Sequence, residues 1–382
     1  MKRSVQTAIY GSVAAVALLM TSGAFAAEPG DFQANLRGAT IGIPAGALPP
    51  PGLYGGLETF VGPNGVGQGQ NGAADGAGPA GKGLTVFGEA IVPSLVWSTG
   101  WNFLGGNIGF VVVQPFFTVA GLSTNCTAVA GVGCVGSPPI AFGAGAGAFF
   151  ENVHNTVWQA IDSWNWHNGW FTSLSFAVQG PDGSQYNGTL NQDYWTFSPG
   201  AAISYLDKNW KVSVNIDYDF HTASAGHTGS YAAVANNAAN PGILAPNGCV
   251  GFACPGIGYT GGDQLFIDWS AEYRWGKLAF GPVGYIKDQT TSDSPGSGWT
   301  CAGLAASAAY GPSLGCGKTE DIAFGGIIGY DFGPAELEVW ATDSVYTRDD
   351  FKGSSVFTRL SFKLDDPSPK PAAASPMATK AH

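Results

Sequence analysis

Lys211-Val212-Ser213-Val214-Asn215-Ile216-Asp217-Tyr218-Asp219-Phe220 is the stretch that decides the fold. Val212, Val214, Ile216, Tyr218 and Phe220 fall on one side, and Lys211, Ser213, Asn215, Asp217 and Asp219 on the other. Side chains alternate across an extended backbone, so a period of two describes a strand with one apolar and one polar face. In a bacterial outer-membrane barrel the apolar face meets lipid and the polar face looks inward.

Working outward, strands are expected near 52–62, 84–99, 102–121, 150–165, 168–179 and 194–206, and again near 209–220, 263–275, 277–290, 319–332, 334–347 and 355–364. Each can cross a bilayer as a tilted strand, which takes about 9–11 residues. The weakest is 150–165, where Val153, Val157 and Ile161 recur at a spacing that suits a helix equally. Five connections are tight: Thr99–Trp101, Trp166–Gly169, Asp207–Asn209, Trp275–Lys277 and Phe332–Pro334. The others, 63–83, 122–149, 180–193, 221–262, 291–318 and 348–354, are mostly long, and 63–83 is low-complexity and expected to be a flexible outer loop. The expected fold is all-β: a transmembrane antiparallel up-and-down β-barrel of about twelve strands, with short periplasmic turns and long outer loops.

Composition agrees. Charged residues make up 11% of the chain, against roughly 25% in soluble domains. A lipid-facing surface excludes charge that a soluble one needs. Lys2 and Arg3, the apolar Ser12 to Met20 and Ala24-Phe25-Ala26 read as a signal peptide over 1–26. The net charge of −11 becomes −13 without Lys2 and Arg3, and no basic patch suits nucleic acid. The expected location is the outer membrane of a Gram-negative bacterium, with outer-membrane lipid and lipopolysaccharide as surroundings. The barrel spans 52–364, and the Pro- and Ala-rich 365–382 is expected to be a disordered periplasmic tail.

Cys126 and Cys134, Cys249 and Cys254, and Cys301 and Cys316 fall in three outer loops, one pair in each. Local disulfides are the economical reading in an exported chain. Free thiols are the alternative, and metal ligation is disfavoured because no Cys-x-x-Cys pair exists. Trp101, Trp166, Trp170, Trp210 and Trp275 sit beside tight turns, as an aromatic girdle at the inner membrane–water interface does. Inward parity falls to Asn215, Asp217, Asp219, Asp268, Glu272, Arg274, Glu336, Glu338 and Arg359, the expected lumen-lining set. Such charges hold the barrel by salt bridges, or form a constriction that disfavours anions.

Several stretches resemble a known family. Pro49-Pro50-Pro51-Gly52-Leu53-Tyr54, Trp101-Asn102-Phe103-Leu104-Gly105-Gly106-Asn107-Ile108-Gly109-Phe110 with Pro115, and Tyr194-Trp195-Thr196-Phe197-Ser198-Pro199 carry the likeness, with Ser204-Tyr205-Leu206-Asp207-Lys208-Asn209, Gly281-Pro282-Val283-Gly284-Tyr285 and Leu360-Ser361-Phe362-Lys363-Leu364. They resemble the outer-membrane family named after the meta-pathway of phenol degradation, over most of 49–364. The resemblance implies a barrel similar in design to fatty-acid and toluene transporters. In those transporters an N-terminal segment folds into the lumen. The segment 27–51 is therefore expected to act as a lumen plug, chiefly through Ile41 to Leu48. The three cysteine pairs and the 63–83 loop depart from the family pattern.

No catalytic residue is expected. The serine phospholipase pattern is absent, and its nearest string, His167-Asn168-Gly169, lacks the serine and lies in a tight turn. No cofactor or metal is expected either. The last strand, alternating with an aromatic near its end, resembles the segment that barrel-assembly machinery recognises. The functional expectation is a passive channel for small hydrophobic or aromatic molecules. The alternative is an adhesive or structural scaffold with disulfide-bonded loops and a closed lumen.

Overall fold

A computed structural model describes residues 35–66, 83–124, 126–129, 133–136, 140–143, 152–183, 194–223, 260–292, 294, 318–348 and 351–365. Twelve of its strands form the barrel: β1 (Gly52–Val66), β2 (Gly83–Phe103), β3 (Gly106–Val113), β4 (Val157–Asn165), β5 (Trp170–Gln179) and β6 (Thr196–Leu206), then β7 (Trp210–His221), β8 (Gln264–Trp275), β9 (Leu278–Gln289), β10 (Glu320–Asp331), β11 (Ala335–Arg348) and β12 (Ser354–Asp365). Each pairs antiparallel with its chain neighbours, and β1 pairs with both β2 and β12. The ring is closed, so no barrel strand leaves an unpaired edge in the hydrocarbon. No helix occurs among the described residues.

Alternation positions the side chains. On β8, Gln264, Phe266, Asp268, Ser270 and Glu272 are buried, while Leu265, Ile267, Trp269 and Ala271 between them are not. The outward positions of the ring expose Leu57, Leu95, Trp158, Leu174, Ile203, Ile216, Phe280 and Ile328. Water does not tolerate a continuous apolar band of that extent, and lipid requires it.

The tight turns carry the backbone signs that two- and three-residue reversals need. At the β4–β5 turn, His167, Asn168 and Gly169 all take positive φ (66°, 53° and 85°). At the β6–β7 turn the Asp207 carboxylate accepts from the backbone N–H of Asn209 (2.7 Å) and Trp210 (2.6 Å). Those two donors hold the Asp207 carboxyl below its ordinary value.

The first hairpins differ from expectation. The reversal after β2 lies at Leu104-Gly105, both at positive φ, and not at Thr99–Trp101. The segment 99–101 is instead an irregularity within β2, with Gly100 at φ 74°. Residues 102–121 are also not one strand. β3 ends at Val113, Pro115 has no N–H to give a ladder, and after that break Phe116–Thr124 continues in the same direction and register along β2, pairing with Gly83–Ile91. Of the segment 150–165, the described residues 152–165 are not helical, with β4 starting at Val157 and Asn152–Val153 pairing with Phe116–Phe117. Strand structure also enters the expected outer connections. β1 runs on to Val66 and pairs there with Phe351–Lys352, and a ribbon joins Cys126–Val129 to Gly133–Gly136.

Candidate functional site

The interior of the barrel holds the chain's own residues 35–51. They enter beside the inner rim, where Ser98 Oγ donates to the carbonyl of Pro49 (2.8 Å). A row of inward serines on β4 to β7 then receives them: Ser163 Oγ donates to Gly46 O (2.7 Å), Ser173 Oγ to Ala45 O (2.7 Å), and Gly46 N donates to Ser204 Oγ (2.9 Å). Ala45 N donates to Ser213 Oγ (3.1 Å). Farther along, Asp268 accepts from Gly38 N (3.1 Å), Thr40 N (3.0 Å) and Thr40 Oγ1 (2.7 Å). Arg37 Nη1 donates to Asp321 (2.5 Å), and Asn35 Nδ2 donates to both oxygens of Asp219 (2.7 and 2.8 Å). An irregular segment leaves its backbone groups unpaired, so it is stable inside only where inward side chains answer them.

Height along the strands follows from residue count. The serine contacts lie within a few residues of the tight turns, whereas Asp219 and Asp321 lie near the opposite ends of β7 and β10. The segment therefore climbs most of the way through the barrel between Pro49 and Asn35.

A second group of charges spans the interior. Lys211 on β7 reaches Glu272 on β8 (3.1 Å), Glu336 on β11 (3.8 Å) and Glu338 on β11, the last as a direct hydrogen bond. Arg274 pairs with Glu336 (3.0 Å). Arg359 pairs with Glu58 (2.7 Å) and Glu338 (3.4 Å), and donates to the carbonyls of Ala39 and Ile41. Its guanidinium lies over the Trp340 ring, 4.6 Å from the centroid. β7 and β11 are four strands apart, so the Lys211–Glu338 contact crosses the lumen rather than running along the wall. Buried charges of this kind need partners on every side, and here each cation has at least one carboxylate.

The interior is not polar throughout. Phe60 (β1), Val283 and Tyr285 (β9), Ile327 (β10), Trp340 (β11) and Phe357 (β12) are buried inside and form one cluster with Ile41, Ala90 and Ala323. Trp340 and Phe357 stack with ring centroids 5.0 Å apart and planes 3° apart. This apolar sector faces the serine-rich sector of β4 to β7 across the segment. Sequence parity already carried the signal: Phe357 shares the phase of Arg359, and Trp340 that of Glu338.

Of the expected lumen-lining set, Asn215 Nδ2 donates to Asp217 (2.5 Å) and to Thr40 Oγ1 (3.2 Å), and Asp219 and Asp268 hold the segment. Glu272, Arg274, Glu336, Glu338 and Arg359 meet in the ionic network. The set omitted Lys211, Glu58, Asp321 and the serines, which the same alternation marks. Trp101, Trp166, Trp170, Trp210 and Trp275 are all exposed at the tight-turn end. Cys249, Cys254, Cys301 and Cys316 lie outside the described residues, as do 1–34 and 366–382; of Cys126 and Cys134 the structure describes the strands alone. His154, in the outer connection before β4, is buried, and burial lowers it to about 4.

A family model described as "Putative MetA-pathway of phenol degradation" matches residues 66–360. No curated protein matches the chain. Among solved structures, the COG4313 outer membrane channel from Pseudomonas putida F1 is similar at a TM-score of 0.54 and 10% identity, covering 83% of this chain and 97% of that one. The β-domain of the Bordetella autotransporter BrkA aligns at a TM-score of 0.37 and 10% identity (82% and 100% covered). The translocator domain of the autotransporter NalP from Neisseria meningitidis aligns at 0.37 and 9% (83% and 90% covered). The first likeness is one of fold; the other two are too distant to add to it.

Proposed function

The chain belongs to the family of the MetA pathway of phenol degradation, and from that membership we propose that it is a passive outer-membrane channel for small hydrophobic or aromatic molecules. The observation that carries this reading is the apolar sector inside the barrel, with Trp340, Phe357, Phe60, Val283 and Ile327 turned inward. An interior that only had to be wet, or only had to be braced by salt bridges, has no need of a stacked Trp–Phe pair at inward positions. A neutral aromatic molecule gains from such a wall what it loses on leaving water. The acidic interior disfavours anions and leaves neutral solutes indifferent. Movement follows the concentration gradient, and no residue is assigned a catalytic role.

Residues 35–51 act in this reading as a plug that narrows the path. The same occupancy, together with the Lys211–Glu338 contact across the lumen, favours a second reading in which the barrel is a closed scaffold whose outer loops meet partners. Uptake separates the two. Cells with and without the gene are given a labelled aromatic such as toluene at low concentration. Intact cells are needed because plain bilayers pass such molecules unaided, and the lipopolysaccharide layer is what retards them. Slower uptake in the deletion strain, restored by the gene, is expected; equal uptake overturns the channel and leaves the scaffold.

A further inference from the structure

Ile41 occupies the apolar sector as a ligand would. It is 1% exposed and belongs to one buried cluster with Phe60, Val283, Tyr285, Ile327, Trp340 and Phe357, and Leu36 of the same segment is packed against that cluster. The backbone is shaped to present it. Gly38 and Gly42 flank it at φ 78° and 80°, a conformation that side-chain-bearing residues rarely adopt. Both glycines also sit close to the wall: a Cβ on Gly38 would come within 3.2 Å of the Tyr285 ring, and one on Gly42 within 2.9 Å of Ile327 Cδ1. Polar anchors hold the backbone on either side of the Ile41 side chain. Asp268 takes the N–H groups of Gly38 and Thr40, and Arg359 Nη1 donates to Ile41 O (2.6 Å).

We propose that the pocket walled by Phe60, Val283, Tyr285, Ile327, Trp340 and Phe357 is a binding site for a neutral monocyclic aromatic solute, and that Ile41 is its built-in competitor. This rests on the channel reading and adds to it the place where the solute binds and what it must displace. The chemical class follows from the walls. Four of the six side chains are aromatic, and Phe357 already packs against both Phe60 and Trp340 (centroids 4.9 and 5.0 Å), so a neutral ring in place of Ile41 extends that ring-on-ring packing. Size follows from the residents: the side chains of Ile41 and Leu36 together carry about as many carbons as one substituted benzene ring. A solute that enters must lift Ile41 away, and the hydrogen bonds of Gly38 and Thr40 to Asp268 open with it. Binding and opening are then one equilibrium, and an apolar solute shifts it because it favours the displaced state alone.

The test is amide hydrogen exchange of the full chain in lipid nanodiscs, with toluene as probe and glycerol as control. Toluene is expected to speed exchange at Gly38 and Thr40 by roughly tenfold or more, with β8 unaffected. In Ile41→Ala the same acceleration is expected at lower toluene concentration, because the competitor is weaker; in Ile41→Phe it is expected at higher concentration. If toluene at its aqueous solubility leaves Gly38 and Thr40 unchanged in both wild type and Ile41→Ala, the cluster is only an anchor and the proposal is overturned. Equal acceleration throughout the barrel overturns it as well, since that is solvent damage. Exchange is read apart from transport. Uptake without local acceleration leaves the channel standing and removes this site, whereas absent uptake with local acceleration does the reverse.

Discussion

Replacing Lys211 with Met removes the one cation that joins β7 to β11 across the lumen. The Lys211 side chain is 4% exposed and those of Glu272 and Glu338 are 0% and 5% exposed, so water screens the group poorly. At an effective dielectric of about 20, a unit pair at the 3.1 Å separation from Glu272 is worth about 5 kcal/mol, and one at the 3.8 Å separation from Glu336 about 4 kcal/mol. Most of this is offset by the several kcal/mol needed to desolvate each ion. What the variant changes is the balance: three carboxylates remain with Arg274 and Arg359 alone. A loss of about 3–5 kcal/mol in barrel stability is expected, the usual effect of stranding a buried charge. Lys211→Met combined with Glu338→Leu relieves one stranded carboxylate, so the double variant is expected to be more stable than the sum of the single variants by about 2 kcal/mol. Urea unfolding in lipid vesicles, followed by tryptophan fluorescence, measures both. A single-variant loss below about 1 kcal/mol with additive behaviour in the double would refute the reasoning, because it is the signature of a hydrated, screened pair.

Other outcomes follow from single contacts. Deleting 35–48 is expected to enlarge single-channel conductance in planar bilayers, and unchanged conductance would show that the segment does not obstruct the path. Gly42→Ala forces a side chain into a positive φ beside Ile327 and Glu338; a cost of about 1–3 kcal/mol is expected, read as faster proteolysis within 35–48. Leu174→Arg places a cation on the lipid face of β5, where Leu174 is 53% exposed, and is expected to destabilise the barrel by about 2–4 kcal/mol in vesicles, whereas Leu174→Phe is neutral. His154 is neutral in the folded protein down to about pH 4, against 6.5 when unfolded, so folding binds fewer protons between those values. Its contribution is fully present above pH 6.5 and is lost as pH falls through the window to about 4. An NMR titration of the imidazole near 6.5 would contradict the burial.

The fold was largely legible because a barrel strand writes its two environments into alternate residues. From β4 to β12 the strands fall close to where polarity alternation and turn residues put them. The reading failed where alternation loses its information. Along 102–121 nearly every residue is apolar or glycine, so the period of two vanishes, and the break falls to Pro115 and to the left-handed Leu104-Gly105 pair. The interior was half legible. Parity marks Asp268, Glu338 and Arg359 as inward but is silent on what they meet, since their partners are far apart in sequence: Asp268 binds Thr40, and Arg359 binds Glu58. Lys211 has inward parity in the sequence, yet its role across the lumen appears only when β7 and β11 are brought face to face.

By itself the sequence determined that this chain makes strands with one face for lipid and one for the interior, and that strands joined by tight turns pair with one another. Both are local consequences of periodicity and short turns. The family resemblance pointed to 27–51 as an interior segment, and tertiary structure alone decided how that segment is held. Residues 35–51 have no periodicity to announce a partner, because an irregular segment takes its hydrogen bonds wherever inward serines and carboxylates stand. The gathering of Phe60, Trp340 and Phe357 around Ile41 is likewise a matter of closure: strands at opposite ends of the barrel sequence, β1 and β12, become neighbours only when the ring shuts.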